Sequence, residues 1–191
     1  MVIKDSGSRR EFSTGAVRDD DGQKGRCDLV PLGVVGAIMS DPILVNIDIY
    51  LRTGEKCCLV DAFKEFVNRY YPDMETAILE VSLHYRDGCQ KYQPRNWEKG
   101  IPLSSFIDSG TRHYLRWKRG DSDEPHNRAF LWNVLGALWT HANMPEMIDL
   151  PFANMVVLDP TEQLDGMAKT IDEEHLNKFI SMWQRCHSEE V

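Results

Sequence analysis

Between Glu80 and Asn133 the chain concentrates residue types that handle phosphate and divalent metal. Carboxylates stand at Glu80, Asp108, Asp123 and Glu124, and Asn133 can add a carbonyl oxygen. Hydrolysis of a phosphoanhydride needs a divalent cation against the phosphate charge, a positioned water, and cations or amides around the non-bridging oxygens. Magnesium asks for hard oxygen ligands, typically a few carboxylates completed by water and substrate phosphate. The expected catalytic acids are Glu80, Asp108 and Glu124; the same three with Asn133 are the expected ligands of Mg2+ or Mn2+. Lys91, Arg95, Lys99 and Arg112 are expected on phosphate, with His113, His126 and Asn133 also on the substrate. Trp97 suits stacking on a base and equally suits a core anchor for its loop. Asn96 would read a base edge or fix that loop.

Other chemistries find less support. His84, His113 and His126 lack the compact HxxxH or HD pairing of a transition-metal motif, so each is expected to hydrogen-bond rather than ligate. Ser104, Ser105 and the cysteines lie in no nucleophile elbow or triad signature. No GxxxxGK[ST] phosphate loop occurs.

Helices must position these side chains. Asp41-Pro42 reads as an N-cap followed by a first-turn proline, and Gly54 as a stop, giving a helix over 42–52, although Val45, Ile47, Ile49 and Leu51 alternate as in a strand. Leu59, Val60, Phe63, Phe66, Val67 and Tyr70 repeat at helical spacing up to Pro72. Asp73 can cap a helix to about Tyr92 with Ile78, Val81, Tyr85 and Cys89 toward the core. Glu80, His84, Asp87 and Lys91 then form one stripe, either a solvated ladder of ion pairs or a ligand-facing row. A helix from about Pro102 buries Leu103, Phe106, Ile107, Tyr114 and Trp117 and puts Asp108, Arg112 and Arg116 on its opposite face. The helix over about 124–142 is apolar nearly all round, so Asn133 on its polar stripe must find a partner.

Residues 1–30 are rich in Gly, Ser, Asp and Arg. An ordinary flexible arm is the simpler reading, while Thr14 to Asp19 and Gly22 to Arg26 also offer amides and cations to a phosphate. Residues 143–191 read as an irregular connection, a short strand at Met155 to Leu158, and a final helix after the capping-box pair Thr170 and Glu173 that packs on the core or on a second subunit. The expected fold is all-α: a single-domain helical bundle, with an extended arm over 1–30, a nucleotide-site core over 31–142, and at most one short strand pair.

A formal charge of −8 over 191 residues argues against a non-specific hold on nucleic acid polymers, which depends on clustered Lys and Arg releasing counterions. Five cysteines without CxxC spacing read as reduced thiols. No apolar leader and no membrane-spanning run is evident, so a cytoplasmic protein without a membrane partner is expected.

On these residues the chain resembles a phage and prophage family, the dATP/dGTP diphosphohydrolase N-terminal domain, whose members are similar to the all-helical MazG-type nucleotide pyrophosphohydrolases. The resemblance covers about residues 3–142. It rests on Asp5 to Phe12, Thr14 to Asp19, Lys24 to Leu29, Lys91-Tyr92, Arg95-Asn96-Trp97-Glu98-Lys99-Gly100, Asp108-Ser109-Gly110, Arg112-His113, and Gly120-Asp121 through Trp132-Asn133. It implies a helical fold, a purine deoxynucleotide ligand, release of pyrophosphate and, if phage-encoded, the host cytoplasm. It also implies a site completed by a neighbouring subunit, hence a homo-oligomer, a dimer or larger. MazG-type enzymes hold magnesium with an ExxE helix and a later ExxD helix. This chain has Leu83 and His84 where the second acid would follow Glu80, and no ExxD before Asn133.

Two further function classes fit the same residues. One is a binding protein that sequesters a nucleotide or cyclic nucleotide immune signal without cleaving it, as an anti-defence sponge would. The other is a structural partner protein whose polar stripes are subunit contacts.

Overall fold

The computed structural model describes residues 7–19, 22 and 24–154, with side chains to Phe152. The strand expected at Met155 to Leu158 and the helix expected after Thr170 lie outside the described residues. Among the described residues there are six α-helices and one two-stranded antiparallel pair, in agreement with the expected all-α class. The strands are β1 (Arg9–Glu11) and β2 (Val17–Asp19), and the helices are α1 (Leu32–Met39), α2 (Pro42–Thr53), α3 (Lys56–Tyr70), α4 (Met74–Tyr92), α5 (Leu103–Arg119) and α6 (His126–Asn143). Among the described residues no helix is long and apolar enough to cross a membrane.

Contacts group the chain into two compact units, with the division at Ala62/Phe63 inside α3. One gathers the residues up to Val30 with Phe63–Leu150; the other gathers Pro31–Ala62 with the described residues from Pro151. The second unit is built on α1 and α2. Asp41 caps α2 by accepting from the Ile43 amide at 3.1 Å, and Pro42 follows at the first helical position. The strand-like alternation of Val45 to Leu51 yields to this cap: Ile43, Leu44, Ile47 and Tyr50 are buried from one turn to the next. Helix α1 was not anticipated from the sequence; its mostly apolar LGVVGAIM run carries no side-chain cap.

The first unit holds the candidate chemistry. Phe66, wholly buried, packs against Phe130 at 4.7 Å and edge-on to Tyr114 at 5.9 Å between ring centres. Such aromatic pairs add about 0.5–1.5 kcal/mol each beyond burial alone. Helix α4 begins where Asp73 accepts from the Thr76 amide at 2.7 Å. Of the core face expected on it, Val81 is buried and Tyr85 packs against Trp97 and Trp132, whereas Ile78 is 44% exposed and Cys89 is exposed; Ala77 is buried in place of Ile78. His84 also faces inward, beside Trp132.

Residues 9–19 are a hairpin, so the arm is not simply flexible. Arg9 pairs with Asp19, Arg10 with Arg18 and Glu11 with Val17 across the ladder. Gly15 makes the turn at φ +78°, a left-handed conformation that glycine adopts without strain, and its amide donates to Phe12 O at 2.9 Å.

Helices α5 and α6 pack along each other and meet at glycines. A Cβ on Gly110 would stand 3.1 Å from the Asn133 Cβ, and one on Gly136 would stand 2.3 Å from Phe106 Cε1. The pair can close only because these two positions lack a side chain, and closure seats Asn133 and Phe106. Gly136→Ala is expected to destabilise the fold by about 1–3 kcal/mol through overpacking, read as a lower urea midpoint at unchanged slope; an unaltered midpoint would show that the helices separate freely.

Candidate functional site

A cavity of about 340 Å³ opens within the unit that contains the hairpin and α4 to α6. That volume is in the range of sites for small ligands. Its lining carries five cations (Arg18, Lys24, Arg95, Arg112 and Arg116) against three carboxylates (Asp19, Asp123 and Glu124), a basic interior in a chain of net charge −8. Tyr85, Trp97 and Trp132 supply aromatic wall. Trp97 is held edge-on by Trp139 at 4.8 Å and Tyr85 at 5.9 Å.

Strand β2 delivers Arg18 to the cavity wall. Its Nη2 donates to Asn133 Oδ1 at 2.8 Å, and its guanidinium lies over the rings of Phe106 at 5.2 Å and Trp132 at 5.4 Å. Asn133 is fixed in turn by donating Nδ2 to Ala129 O at 2.7 Å. Burial brings the Arg18 pKa down to about 10, partly offset by Tyr92, Asp108 and Asp19, so the group remains cationic at neutral pH. Its Nη1 is buried with no hydrogen-bond partner among the described residues, and so is Nε of Arg112.

Carboxylates that could have served a metal instead hold these cations and the N-terminal backbone. Asp108 accepts from the Cys27 amide at 2.7 Å and from Arg112, which also donates to Gly25 O at 3.0 Å. Asp19 accepts from Lys91 and, at 2.7 Å, from the Tyr92 hydroxyl. The Asn96 carboxamide clamps β2, accepting from Val17 N at 3.0 Å and donating to Val17 O at 2.7 Å.

The start of α6 and the facing side of α5 bring two imidazoles together. His113 Nδ1 and His126 Nδ1 are 2.9 Å apart, and Glu124 Oε1 lies 3.7 Å from the first and 3.5 Å from the second. His126 is wholly buried, and its Nε2 meets Asp123 Oδ1 at 2.9 Å. That hydrogen bond is the main cause of the Asp123 pKa lying near 2. Burial, with the neighbouring His126, pushes the His113 pKa well down, leaving it neutral.

The expected residues thus part company. Arg95, Asn96, Trp97, Arg112, His113, Glu124 and Asn133 line the cavity; Glu80, Lys91, Lys99, Asp108 and His126 do not. Glu80 instead takes Arg128, its neighbour on α6, at 2.6–2.7 Å. Lys91 is taken by Asp19, and Lys99 donates to Gly15 O at 3.5 Å. The oxygen-rich magnesium set of Glu80, Asp108, Glu124 and Asn133 therefore does not assemble. Asn133 gives its oxygen to a guanidinium, and neither metal-compatible group among the described residues contains Glu80 or Asp108. Those groups are His113 with Glu124 and His126, and Asp121 with Asp123 and His126. Sequence reasoning missed Arg18, Arg116 and Trp132 as site residues. Only the glycine-and-cation run of Thr14 to Asp19 hinted at the first.

His84 faces the cavity beside Trp132, ring centres 5.8 Å apart, with Nδ1 buried and unpartnered among the described residues. Burial is the main cause lowering its pKa to about 4. Between pH 6.5 and 4 the unfolded chain takes up this proton and the folded chain does not, so stability present above pH 6.5 drains as the pH falls. The share of His84 is on the order of 1–3 kcal/mol across that window. Urea titrations at pH 7, 6 and 5 should show a shallower loss for His84→Gln than for the natural chain; equal slopes would remove His84 from the balance.

Compared with known proteins, the chain finds no match among curated proteins and none among solved structures. The comparison with protein families does find one, beginning in α3 and ending at Leu150, and it takes in α4 to α6 and most of the cavity-lining residues. Residues 65–150 of this chain match the family described as dATP/dGTP diphosphohydrolase, N-terminal.

Proposed function

We propose that the cavity binds a purine deoxynucleoside triphosphate, dGTP or dATP, and hydrolyses it to the monophosphate and pyrophosphate with the help of a divalent cation. The observation that carries this reading is the pair of buried, unpartnered guanidinium nitrogens, Arg18 Nη1 and Arg112 Nε, on residues lining the basic interior of an acidic chain. A buried donor left unpaired costs about 1–3 kcal/mol, and more when charged, so its retention points to an anionic partner. The family match over residues 65–150 supports a diphosphohydrolase, and its description names the two purine nucleotides.

In this reading Arg18 and Arg112 take non-bridging oxygens of the phosphates, with Lys24, Arg95 and Arg116 at the more exposed margin. A bound divalent cation supplies further neutralisation of phosphate charge. Water adds to the α-phosphorus as the bond to the bridging oxygen breaks, pyrophosphate leaves, and the proton of the water passes to solvent or to a basic group. Glu124, the cavity-lining acid of the expected set, orients that water or holds the cation. Tyr85, Trp97 and Trp132 give the base an aromatic surface.

Incubation with each deoxynucleoside triphosphate and MgCl2 or MnCl2, followed by ion-exchange separation, should yield monophosphate and pyrophosphate with dGTP and dATP ahead of the pyrimidines. Nucleotide recovered intact overturns hydrolysis. Arg95, whose surface partner is Glu98 at 2.9 Å, can be removed without disturbing the core. Arg95→Ala is expected to raise the KM for dGTP about tenfold, the loss of one charge-assisted hydrogen bond of about 1.5 kcal/mol, at unchanged melting temperature. An unaltered KM would take Arg95 off the phosphates.

A further inference from the structure

We propose that His113 Nδ1, His126 Nδ1 and Glu124 Oε1 form a three-donor face for one first-row divalent transition ion, of the class of Mn2+, Co2+ or Zn2+ rather than Mg2+, and that Asp123 positions it. The inference rests on the phosphate-hydrolysing reading for the use of the ion, and on geometry for its place. The three donor–donor separations are 2.9, 3.5 and 3.7 Å. Metal–ligand bonds of about 2.0–2.2 Å put neighbouring donors of a four- to six-coordinate ion about 3.0–3.4 Å apart. The observed triangle already brackets that spacing. Two imidazoles with one carboxylate suit a first-row transition ion; magnesium prefers oxygen throughout.

Tautomers complete the case. A carboxylate can only accept, so the proton between Asp123 Oδ1 and His126 Nε2 belongs to the imidazole, and in neutral His126 this leaves the Nδ1 lone pair bare and aimed at His113. Carboxylate-oriented histidines of this kind are the usual second layer of a metal site. In the metal-free pair His113 Nδ1 carries the shared proton; loading the ion moves that proton to His113 Nε2 and frees the second lone pair. Glu124 and His113 line the cavity, next to Arg112, so an ion on this face would meet the phosphates that the arginines hold. Arg116 lies 3.6 Å from both Glu124 and Asp123 at the outer edge, where it is 37% exposed and has room to stand aside.

The alternative group, Asp121 with Asp123 and His126, would use His126 Nε2 and the exposed Asp123. Asp121 is already held by Arg119 at 2.7 Å, and Asp123 by His126, so each of its ligands must first be released.

The test uses the full chain stripped with EDTA and desalted, titrated calorimetrically with MnCl2, CoCl2, ZnCl2 and MgCl2, and by visible absorption for Co2+. One transition ion per chain, bound at least tenfold more tightly than Mg2+, is expected. His113→Asn and Glu124→Gln should each weaken it at least tenfold, Asp123→Asn by about 10–100-fold, and Asp121→Asn by less than twofold. Circular dichroism establishes that each variant is folded; His126→Asn, which opens a fully buried site, is not needed. No uptake of a transition ion, preference for Mg2+, or affinity untouched by His113→Asn would overturn the site. Equal losses in Asp121→Asn and His113→Asn would also overturn it, in favour of the alternative group. Metal bound as expected without nucleotide turnover would leave the site standing and bring down the hydrolase reading; turnover in Mg2+ indifferent to His113→Asn would do the reverse.

Discussion

The site depends on one electrostatic constraint: a guanidinium withdrawn from water. Arg18 is carried in by a three-residue strand and set over two aromatic rings, with one firm hydrogen bond, to Asn133. Desolvation of a cation costs several kcal/mol, and the ring quadrupoles with one amide oxygen recover only part of it. The remaining compensation is arranged at longer range by Asp19 and Asp108, whose charges raise what burial lowers. Other features follow from keeping that cation in place. Asn96 clamps the strand by both edges of Val17, Thr14 donates to Gly100 O at 2.6 Å, and Gly110 leaves the space that lets Asn133 approach α5.

The same constraint explains where the acids went. A chain of charge −8 has carboxylates to spare, yet its cavity is net basic among the lining residues. Asp108 and Asp19 work from behind the lining or at its edge, each holding a cation and part of the N-terminal segment. An acid placed so offsets part of the local positive charge, which lets two arginines share one cavity, and leaves Arg18 Nη1 and Arg112 Nε without a hydrogen-bond partner among the described residues. Only at the start of α6 do acids meet the cavity beside imidazoles.

Much of the helical frame was legible because its signals are local. Asp41-Pro42 and Asp73 cap by bonds to amides two and three residues on, and the aromatic spacing around Phe66 and Phe130 needs only the helical repeat. The site was legible in composition and not in assignment. Arg95, Asn96, Trp97, Arg112, His113, Glu124 and Asn133 do share a cavity, because α4 to α6 bring that whole stretch to one place. Which partner each side chain takes depends on helix rotation and on contacts distant in sequence. Glu80 meets Arg128 across 48 positions, and Arg18 reaches Asn133 across 115. The residue types are unchanged in either arrangement, so periodicity cannot choose between them.

The histidines hydrogen-bond, as their spacing implied, but to each other and to Asp123, which spacing along the chain does not convey. Spacing along the chain argued against a site, since His113 and His126 stand thirteen residues apart with a helix end and a loop between them. Yet Gly120 closes α5 in a left-handed turn at φ +87°, Pro125 precedes α6, and the two rings meet across the junction with centres 5.2 Å apart and planes tilted by 40°. A motif read on one helix requires ligands three or four positions apart; a corner between two helices sets no such requirement. Here the corner also supplies Asp123 and Glu124 from its own loop, one to orient an imidazole and one to stand beside both. The departure from an ExxE and ExxD pattern is therefore not a subtraction of acids alone. Where those helices would offer oxygen, this chain turns Glu80 to an arginine and gathers nitrogen at the α5–α6 junction.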